Sequence, residues 1–599
     1  MPPCVLFEDE HLLVVNKPAG WNTHAPAPFA GEGIYDWLKH REPRWASLAI
    51  IHRLDKETSG VMVFGKTALA NRSLTEQFTA RAMRKKYLLL TDRPVKQREL
   101  TVKSKLLRAG ERYVSGTDGE LAETRFHIRN PQSAIRDPNE LPPGGYYAVM
   151  AEPLTGRTHQ IRVHAAESGF PILGDTLYGG TPFQRVCLHA AELSFNHPAT
   201  NEAVAFSASA DFAADRRLTL RAALLERRTP VRREIGEASN RADLEIGAPP
   251  DAFRLIHGAS DSWPGWYVER LGEFLLSQSE RDLNDDQRAW LTQIGAPNSD
   301  AARTATSQRA ESEFGAPIRG VYHKVLSRHV RGAATAATSP QLVIGAAAPD
   351  RFAIRENGVK FDLSFNEGYS VGLFLDQRDN RRRLLVGHVA ADFSLARSPL
   401  PNPKPPFAQR QSPTTDNQSA IRNPQSEVLN TFAYTCGFSV CAALAGARTT
   451  SLDLSKKYLE WGKRNFALNG LDPAAHDFIY GDTFDWLKRL ARKQRLFDVV
   501  ILDPPTFSQS KEGGVFRAEK DYGRLVRAAL PVLRPGGVLF ASTNAAEWKP
   551  EDFLADVERA ILAAGRKIVQ RHYVSQPPDF PVSRAEPAYL KTVWMRVAG

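Results

Sequence analysis

The sequence predicts a protein of several domains, the last of which is an α/β domain built on a doubly wound parallel sheet. Its 599 residues are enough for about three domains, each with its own hydrophobic core. From residue 427 to the C-terminus, strand-like and helix-like segments alternate, which is the pattern of a doubly wound sheet. Near the N-terminus, apolar residues 48–51 and 61–64 flank a short polar loop, which predicts two strands joined by a tight turn.

Composition and charge narrow the class of protein. The net charge of +11 indicates a polyanionic partner, although many cytosolic proteins are basic. The 4 cysteines suit neither a disulfide framework nor a CxxC metal site. His159 and His164 are of a metal-binding residue type, but no Cys or carboxylate lies at ligand spacing, so we expect a buried structural role and no metal. No signal peptide is expected and no spanning apolar run exists, so we expect a soluble, cytoplasmic protein.

The polar loop near the N-terminus is residues 52–60, with the sequence HRLDKETSG. It places Asp55 between Arg53 and Lys56, which would keep the carboxylate ionised and attract an anionic substrate. An isolated Asp in such a loop more often only caps a turn. The whole nonamer, however, resembles the catalytic motif of the RluA-type pseudouridine synthases.

Further segments support this resemblance in the same order along the chain. They are residues 5–20 (VLFEDEHLLVVNKPAG), Lys85-Lys86-Tyr87 as a K-x-Y element, 156–164 (GRTHQIRVH), 174–179 (GDTLYG) and 188–198. The resemblance implies an α+β domain over residues 1–215, in which a mostly antiparallel, curved sheet cradles a flipped uridine. It also implies that uridine is isomerised to pseudouridine without a cofactor.

The resemblance implies catalytic roles for four residues. Asp55 would be the nucleophile, and Arg162 would be the cation that holds it ionised. Tyr87 would stack on the uracil and help to remove its C5 proton, and Arg53 would fill the space left by the flipped base. The alternatives are phosphate contact or plain surface charge for the arginines, and an ordinary core position for the tyrosine.

Other segments are predicted to lie between or within the domains. Residues 216–250 are Arg-rich with a helical pattern, which predicts a basic linker helix that favours phosphate contact. Residues 391–427 are rich in Pro, Ser, Asn and Gln, so disorder is expected. Residues 129–143 contain a near-repeat of a peptide in 391–427; we interpret both as surface insertions, with a shared docking peptide as the alternative. Residues 251–350 would form a small α/β accessory domain and 351–599 the C-terminal domain.

The sequence of the C-terminal domain predicts a site for a nucleoside cofactor at the carboxyl ends of its strands. Residues 427–432 form a buried strand, and a turn at 433–437 leads into a helix. About 20 residues later a second strand ends at Asp453, a spacing that suits ribose hydroxyls. The third strand ends at Asp482, which could meet an adenine amino group, and the fourth enters a stiff D-P-P turn at Asp503. A dinucleotide is the competing ligand, but the turn has one glycine rather than GxGxxG.

These landmarks resemble the class I S-adenosylmethionine-dependent methyltransferases of 23S ribosomal RNA, the RlmI/RlmKL-like enzymes. Residues 503–511 (DPPTFSQSK) are most similar to a guanine-N7 methyltransferase domain of that group, and 372–381 (GLFLDQRDNR) and 253–268 also match. Val371 departs from the pattern, where Thr is usual. The resemblance implies S-adenosylmethionine as the cofactor, 23S ribosomal RNA as the partner, and a Rossmann-like fold. The cofactor-binding residues that it implies are Asn430, Phe432, Thr435, Gly437, Asp453, Asp482 and Asp503; ordinary strand-end carboxylates are the alternative for the acids.

The residue types near the cofactor site favour a nitrogen atom as the methylated position. Methylation of cytosine C5 needs a Cys nucleophile, but neither Thr506 nor residues 538–544 supply a thiol. Cys436 and Cys441 lie in and after the cofactor turn, where packing is expected. Guanine N7 is nucleophilic and needs only positioning, for which residues 542–544 could supply hydrogen bonds. We predict a bifunctional RNA modification enzyme; cytosine C5 methylation, or an RNA-binding ribosome-assembly factor with one inactive head, are the alternatives.

Overall fold

The computed structural model describes residues 4–95, 97–129, 145–210, 212, 251–295, 318–326, 339–367, 370–395, 426–510 and 514–599. The predicted linker 216–250 and almost all of the predicted insertions 129–143 and 391–427 lie outside the described residues. The chain divides into two compact units. The first contains Met1–Pro26, Glu32–Lys39 and Arg44–Arg227, and the second contains Ala27–Gly31, His40–Pro43 and Arg228–Gly599.

One large sheet forms the N-terminal part of the chain, together with three α-helices among the described residues. The strands are β1 (Val5–Glu8), β2 (Leu12–Lys17), β3 (Ala49–Ile50), β4 (Ser59–Gly65), β5 (Arg84–Thr91), β6 (Glu99–Ala109), β7 (Arg112–Ser115), β8 (Glu120–Arg129), β9 (Tyr147–Pro153), β10 (Leu188–Asn196) and β11 (Ala203–Ser207), and the helices are α1 (Ile34–Arg41), α2 (Ala68–Thr79) and α3 (Gln160–Glu167). The order is β1-β2-β4-β10-β5-β9-β8-β6-β7, with β3 beside β4 and β11 beside β10. β4 and β10 are parallel, whereas neighbours such as β2 and β4 or β5 and β9 are antiparallel, as an α+β domain requires.

Strand β4 is covered on both faces and gives the preceding loop a rigid support. Met62 and Phe64 pack into one hydrophobic cluster, whereas Val61 and Val63 pack into another. This division follows from the alternation of side chains along a strand. All residues of β4 are buried, so the loop that precedes it starts from a fixed point in the core.

The second unit begins with a five-stranded sheet followed by two hairpins. Its elements are β12 (Ala252–His257), β13 (Trp266–Leu271), β14 (Phe274–Ser279), α4 (Asp285–Gly295), β15 (Gly320–Val325), β16 (Gln341–Gly345), β17 (Phe352–Glu356), β18 (Val359–Leu363), α5 (Arg378–Val386), β19 (His388–Ala390) and β20 (Phe393–Ser394). Phe274 of this sheet shares one hydrophobic cluster with Phe361 of β18 and with Val428 further along the chain. A separate accessory domain at 251–350 therefore stays a prediction, as do the other domain boundaries.

A seven-stranded, largely parallel sheet forms the C-terminal part. Its region contains β21 (Glu427–Thr431), α6 (Gly437–Leu444), β22 (Arg448–Asp453), α7 (Lys456–Leu468), β23 (Asp477–Tyr480), α8 (Thr483–Arg492), β24 (Phe497–Leu502), β25 (Phe507–Ser510), β26 (Gly514–Arg517), α9 (Ala518–Ala529), β27 (Leu533–Thr543), α10 (Pro550–Ala563), β28 (Lys567–Val574) and β29 (Lys591–Ala598). The order is β23-β22-β21-β24-β27-β29-β28, and β29 is antiparallel to both of its neighbours. The predicted Rossmann-like α/β sheet is thus confirmed. The strand order reverses at β21 and β24, which is the point where a doubly wound sheet is expected to have its ligand crevice, at the carboxyl ends of the strands.

Within the described part of the chain, none of the helices combines the length and the apolar character needed to cross a membrane.

Candidate active sites

The loop that carries Asp55 joins β3 to β4 and is held by buried side chains. Thr23 donates its hydroxyl to the Leu54 carbonyl at 2.9 Å and accepts the Leu54 N–H at 3.2 Å. The buried ammonium of Lys17 donates to the carbonyl of Lys56 at 3.2 Å and to two other carbonyls. At Gly60, whose φ is +122°, a Cβ would lie 2.3 Å from the Ala190 carbonyl oxygen, so only glycine fits. These contacts fix the backbone on both sides of Asp55.

A cleft of about 510 Å³ brings the four predicted catalytic residues together. Asp55 and Arg53 come from the loop, Tyr87 from β5 and Arg162 from α3, and all four line the cleft. Asp55 is half-buried, whereas Arg53 is exposed. Their catalytic roles stay predictions, but the sequence correctly predicted that these side chains share one site.

Tyr87 is half-buried and packs against two hydrophobic clusters. Burial raises the pKa of its hydroxyl, and the nearby charge of Asp55 raises it further. The phenol is therefore neutral near pH 7. This favours stacking and hydrogen bonding over action as a phenolate base.

Arg162 is buried and forms two hydrogen bonds with the carboxylate of Asp175. Nε donates to Oδ2 and the second terminal nitrogen to Oδ1, both at 2.7 Å. Its guanidinium also lies 5.0 Å from the centre of the Tyr178 ring. Burial opposes the charge, but Asp175 and then Asp55 raise the pKa of Arg162. The sequence predicted Arg162 as the cation that holds Asp55 ionised, and this role stays a prediction. In the structure Arg162 interacts with Asp55 through charge, and it is hydrogen-bonded to Asp175, which the sequence did not predict.

His159 faces the catalytic cleft, contrary to the purely structural role expected for it. It precedes α3 with a left-handed φ of 55°, and this conformation places Nε2 3.9 Å from Oδ2 of Asp55. Its Nδ1 lies 2.8 Å from the Tyr178 hydroxyl. Burial lowers the pKa of His159, whereas Asp55 opposes that shift. The structural expectation does hold for His164, which is fully buried and bonded to Thr124 at 2.9 Å.

The predicted cofactor turn after β21 has an uncommon backbone. Phe432, Tyr434 and Cys436 have positive φ values of 55°, 49° and 63°. Such conformations cost about 1–3 kcal/mol each and are found at functional sites when the surroundings impose them. Asp453, at the end of β22, holds the turn in this conformation. Its Oδ2 accepts the Tyr434 N–H and its Oδ1 accepts the Ser455 N–H, both at 2.8 Å.

Four of the predicted cofactor residues have structural contacts of their own. The Asn430 amide is buried and donates to Ser439 at 2.9 Å, which joins β21 to α6. Thr435 is buried and donates to the Gly372 carbonyl at 2.6 Å. At Gly437 a Cβ would lie 3.2 Å from the Leu373 side chain, so this residue lets residues 372 and 373 approach the turn. Phe432 is half-buried, and its ring centre lies 6.2 Å from that of Phe516.

Asp482 begins helix α8 as its N-cap. Its Oδ1 accepts the N–H groups of Phe484 at 2.9 Å and of Asp485 at 3.2 Å. Such a cap typically contributes about 1 kcal/mol to helix stability. The predicted contact with an adenine amino group stays a prediction beside this structural role.

Asp503 ends β24 within a network of neutral hydrogen-bond donors. The Gln377 amide lies 3.3 Å from each Asp503 oxygen and 2.8 Å from the Ser542 hydroxyl. Asn380 donates to the Gln377 carbonyl oxygen at 2.8 Å, which fixes the orientation of the amide. Burial, reinforced by the charge of Asp376, raises the pKa of Asp503 to about 6.

The hydroxyl of Tyr522 joins the ends of β24 and β27. It lies 2.9 Å from the Leu502 carbonyl oxygen and accepts the Ser542 N–H at 2.8 Å. Tyr522 is fully buried, so these partners satisfy its polar group. The two strand ends that carry Asp503 and Ser542 are thereby held in register.

The cysteines of the second unit are enclosed. Cys436 and Cys441 are buried in one hydrophobic cluster. Burial raises the pKa of the Cys436 thiol to about 12 and that of Cys441 further still. A thiol in this state is a poor nucleophile, as the sequence predicted.

Sequence reasoning missed three polar groups that complete these sites: Asp175, Gln377 and Tyr522. The first two lie in segments that the sequence had marked, 174–179 and 372–381, so a search there for carboxylates and amides would have found them. Tyr522 lies within α9 and carried no signal. Its role depends on where that helix packs.

Comparisons with known proteins match a different family to each part of the chain. The RNA pseudouridylate synthase family matches residues 11–167, and the S-adenosylmethionine-dependent methyltransferase family matches residues 415–596. The chain is 30% identical over 352 residues to the ribosomal RNA large subunit methyltransferase of Deinococcus radiodurans, which covers 58% of this chain and 72% of that protein.

The relatives that match the N-terminal part are pseudouridine synthases. The chain is 38% identical over 222 residues to the ribosomal large subunit pseudouridine synthase C of Yersinia pestis, a match that covers 35% of this chain and 66% of that protein. For the same enzyme of Salmonella typhimurium the identity is 36% over 228 residues, with 35% and 68% covered. The chain thus spans about two thirds of the length of these relatives.

Solved structures resemble each part of the chain. A putative methyltransferase from Streptococcus mutans is 28% identical, with 58% of this chain and 75% of that chain covered and a TM-score of 0.41. The human RNA pseudouridylate synthase domain containing 1 is 24% identical, with 34% and 82% covered and a TM-score of 0.27.

Proposed function

Because the N-terminal part of the chain belongs to the RNA pseudouridylate synthase family and the C-terminal part to the S-adenosylmethionine-dependent methyltransferase family, we propose that this enzyme modifies ribosomal RNA twice. One site isomerises uridine to pseudouridine. The other methylates a base, which we propose to be guanine at N7. We also propose a cytoplasmic location and 23S ribosomal RNA as the partner, and the names of the relatives, which refer to the large ribosomal subunit, support this.

We propose that Asp55 is the nucleophile of the isomerisation. Its carboxylate promotes cleavage of the bond between uracil N1 and the ribose; the base then rotates and rejoins through C5, the C5 proton leaves, and N1 gains a proton. No atom is added overall, so no co-reactant is required. The support is the arrangement of the cleft, in which a fixed half-buried carboxylate faces a neutral Tyr87 that can stack on the uracil.

We propose different roles for Arg162 and Arg53 in the isomerisation. Arg162 is buried between the charges of Asp55 and Asp175, so it stabilises Asp55 as a carboxylate and fixes one wall of the cleft. Arg53 is exposed at the rim, where it can take the place of a base that has left its stack. Extrusion of the uridine gives the half-buried Asp55 access to its target.

The crevice of the second unit fits S-adenosylmethionine. Asp453 accepts backbone N–H groups, among them those of Tyr434 and Ser455, and a carboxylate has about four lone-pair positions, so ribose hydroxyls can bind there too. The half-buried acids Asp376 and Asp503 suit a cationic sulfonium, which supplies the methyl group when it is bound. Residues that would hold the cofactor are Asn430, Phe432, Thr435, Gly437, Asp453, Asp482 and Asp503, of which Asn430 and Thr435 act by shaping the turn.

The observation that supports a nitrogen target is the position of the thiols. Of the 4 cysteines in the sequence, Cys4 and Cys187 lie in the N-terminal part, and Cys436 and Cys441 are enclosed in a hydrophobic cluster. Attack on cytosine C6, which precedes C5 methylation, needs an accessible thiolate. Guanine N7 needs no covalent catalyst, and the positive charge that it gains on methylation suits the carboxylate of Asp503.

Nucleoside analysis of RNA tests the proposal. Unmodified 23S ribosomal RNA, transcribed in vitro, is incubated with the purified protein with and without S-adenosylmethionine, then digested and analysed by mass spectrometry. We expect pseudouridine under both conditions and 7-methylguanosine only with the cofactor. 5-Methylcytidine would overturn the assignment of the atom.

Cofactor binding separates an enzyme from an assembly factor with an inactive head. Calorimetry with S-adenosylmethionine should show binding to the wild-type protein. Normal binding of RNA together with no binding of the cofactor and no methylated nucleoside would establish the assembly-factor alternative for the second unit.

A further inference from the structure

The cations that line the Asp55 cleft fall into two groups. Arg162 pairs with Asp175, and Arg157 forms an ion pair with Glu120. By contrast, within the described residues the charged groups of Arg53, Lys56 and Lys85 have no carboxylate or hydrogen-bond partner. Unpaired cations in a cleft that takes a polyanion are available to its phosphates.

Lys85 differs from the other unpaired cations because it lies inside the cleft. Arg53 and Lys56 are exposed on the loop, whereas Lys85 is half-buried in β5 and lines the cleft. Successive side chains of a strand alternate between faces, so Lys85 shares the face of Tyr87. Lys86 points the other way and pairs with Glu192 at 2.9 Å. The two neighbouring lysines of β5 therefore differ: Lys86 is paired with a carboxylate, whereas Lys85 has no such partner among the described residues.

The surroundings of the Lys85 ammonium leave room for a ligand. A methyl group added at Gly156 would lie 3.7 Å from Nζ, and the centre of the Phe78 ring is 5.5 Å away. Its charge also acts on His52, since Lys85 contributes to the lowered pKa of that imidazole. Burial lowers the pKa of Lys85 itself, because the ammonium has lost water without gaining a counterion. Such a group gains most from an anionic partner.

We propose that Lys85 binds the phosphodiester of the flipped nucleotide and is a positioning residue for the isomerisation. Two residues along a strand span roughly 6.8 Å, so Lys85 lies about that far from Tyr87 toward the start of β5. Arg84, the first residue of β5, is exposed, so this end of the strand lies at the protein surface. A nucleotide whose uracil stacks on Tyr87 then extends its phosphate toward Lys85. This inference rests on the proposed pseudouridine synthase activity.

Salt dependence of RNA binding tests the contact. The full-length protein with Asp55→Asn is titrated with in vitro transcribed 23S ribosomal RNA over a series of salt concentrations, with and without Lys85→Met. Methionine keeps the packing on Phe78 but removes the charge. Loss of one phosphate contact should reduce the slope of log affinity against log salt by about 0.7 and weaken binding roughly tenfold at low salt.

Two further variants serve as controls. Lys86→Met removes a cation of the same strand that points away from the cleft, so it should keep the slope of the parent protein. Lys85→Arg keeps the charge and should also keep the slope. An unchanged slope in Lys85→Met, or an equal loss of slope in Lys85→Arg, would overturn the proposal.

Turnover distinguishes this inference from the proposed function. In the protein with an intact Asp55, release of tritium from C5 of uridine in the same RNA measures isomerisation. Lys85→Met should raise KM and change kcat less, and the defect in kcat/KM should narrow as salt increases. If the wild-type protein releases no tritium, the proposed function fails, whereas the salt slope still decides the role of Lys85.

Discussion

The two candidate active sites place a carboxylate in opposite surroundings. Asp55 lies in an open cleft of about 510 Å³, with the cations Arg53 and Lys56 beside it in the sequence. Asp503 lies in a crevice where its partners are the neutral donors of Gln377, 126 residues away, and another acid, Asp376. The cleft proposed to bind an anionic RNA strand therefore has cations that are close to Asp55 in the sequence. The site proposed to bind a cationic methyl donor instead has acids that residues distant in the sequence hold in place.

Removing each carboxylate in turn tests whether the two sites work independently. Asp55→Ala should lower pseudouridine formation by roughly 10⁴-fold or more, because the nucleophile is lost. Methyl transfer should be unchanged. Both activities are measured by nucleoside mass spectrometry on the same RNA, and loss of both in this variant would contradict two independent sites.

The reciprocal variant should have a smaller effect. Asp503→Ala removes charge stabilisation but no covalent catalyst, so methyl transfer should fall by roughly 10²- to 10³-fold. Tritium release from uridine should stay at the wild-type level and serves as the control for folding of the preparation. A methyl-transfer rate within a few-fold of wild type would remove Asp503 from the site.

The pH profile of methyl transfer tests the surroundings of Asp503. Its pKa is raised to about 6, so the carboxyl is neutral below that pH and charged above it. The rate should therefore rise with pH through about 6. Gln377→Glu puts a second acid against Asp503, which should raise its pKa by about one unit and move the inflection upward.

A matched variant makes that pH shift specific. Gln293→Glu adds the same charge on an exposed residue of α4 and should leave the inflection in place. Equal shifts in both variants would mean that the profile reports net charge and not the Gln377 contact.

The smallest effect on activity is expected from the cysteines. Cys436→Ala with Cys441→Ala should retain methyl transfer, because neither thiol is accessible. The lost packing should lower the free energy of unfolding by about 1–2 kcal/mol, measured by urea denaturation. Complete loss of methylation in a folded double variant would favour cytosine C5 as the target.

The site residues differ in how far the sequence could predict them. Asp55, Arg53, Tyr87 and Arg162 belong to contiguous motifs, and the structure places all of them in one cleft. The role of Arg162 toward Asp55 stays a prediction, whereas its ion pair with Asp175 was not predicted, because nothing local shows that Asp175 meets it. The alternation of side chains along β5 predicts that Lys85 and Lys86 lie on opposite faces, but the sequence alone does not show that only Lys86 meets a carboxylate.

In the second unit, the sequence predicted the strand ends but not their contacts. Alternating segments and spacing placed Asp453, Asp482 and Asp503 after the correct strands. Whether such an acid binds a ligand or caps its own backbone depends on geometry. Asp482 caps a helix and Asp453 holds a turn, and neither contact has a signature in residue type alone.

The sequence by itself determined the two families and their order along the chain, and it predicted the side chains that carry the chemistry, because motifs and strand periodicity are short-range properties. Only the tertiary structure decided which charges are paired, which thiols are enclosed and how far the pKa of Asp503 shifts. Those properties depend on desolvation by residues distant in the chain, such as Gln377 and Tyr522. The motif around Asp55 predicts a nucleophile, and the fold places this carboxylate in one cleft with Tyr87 and Arg162.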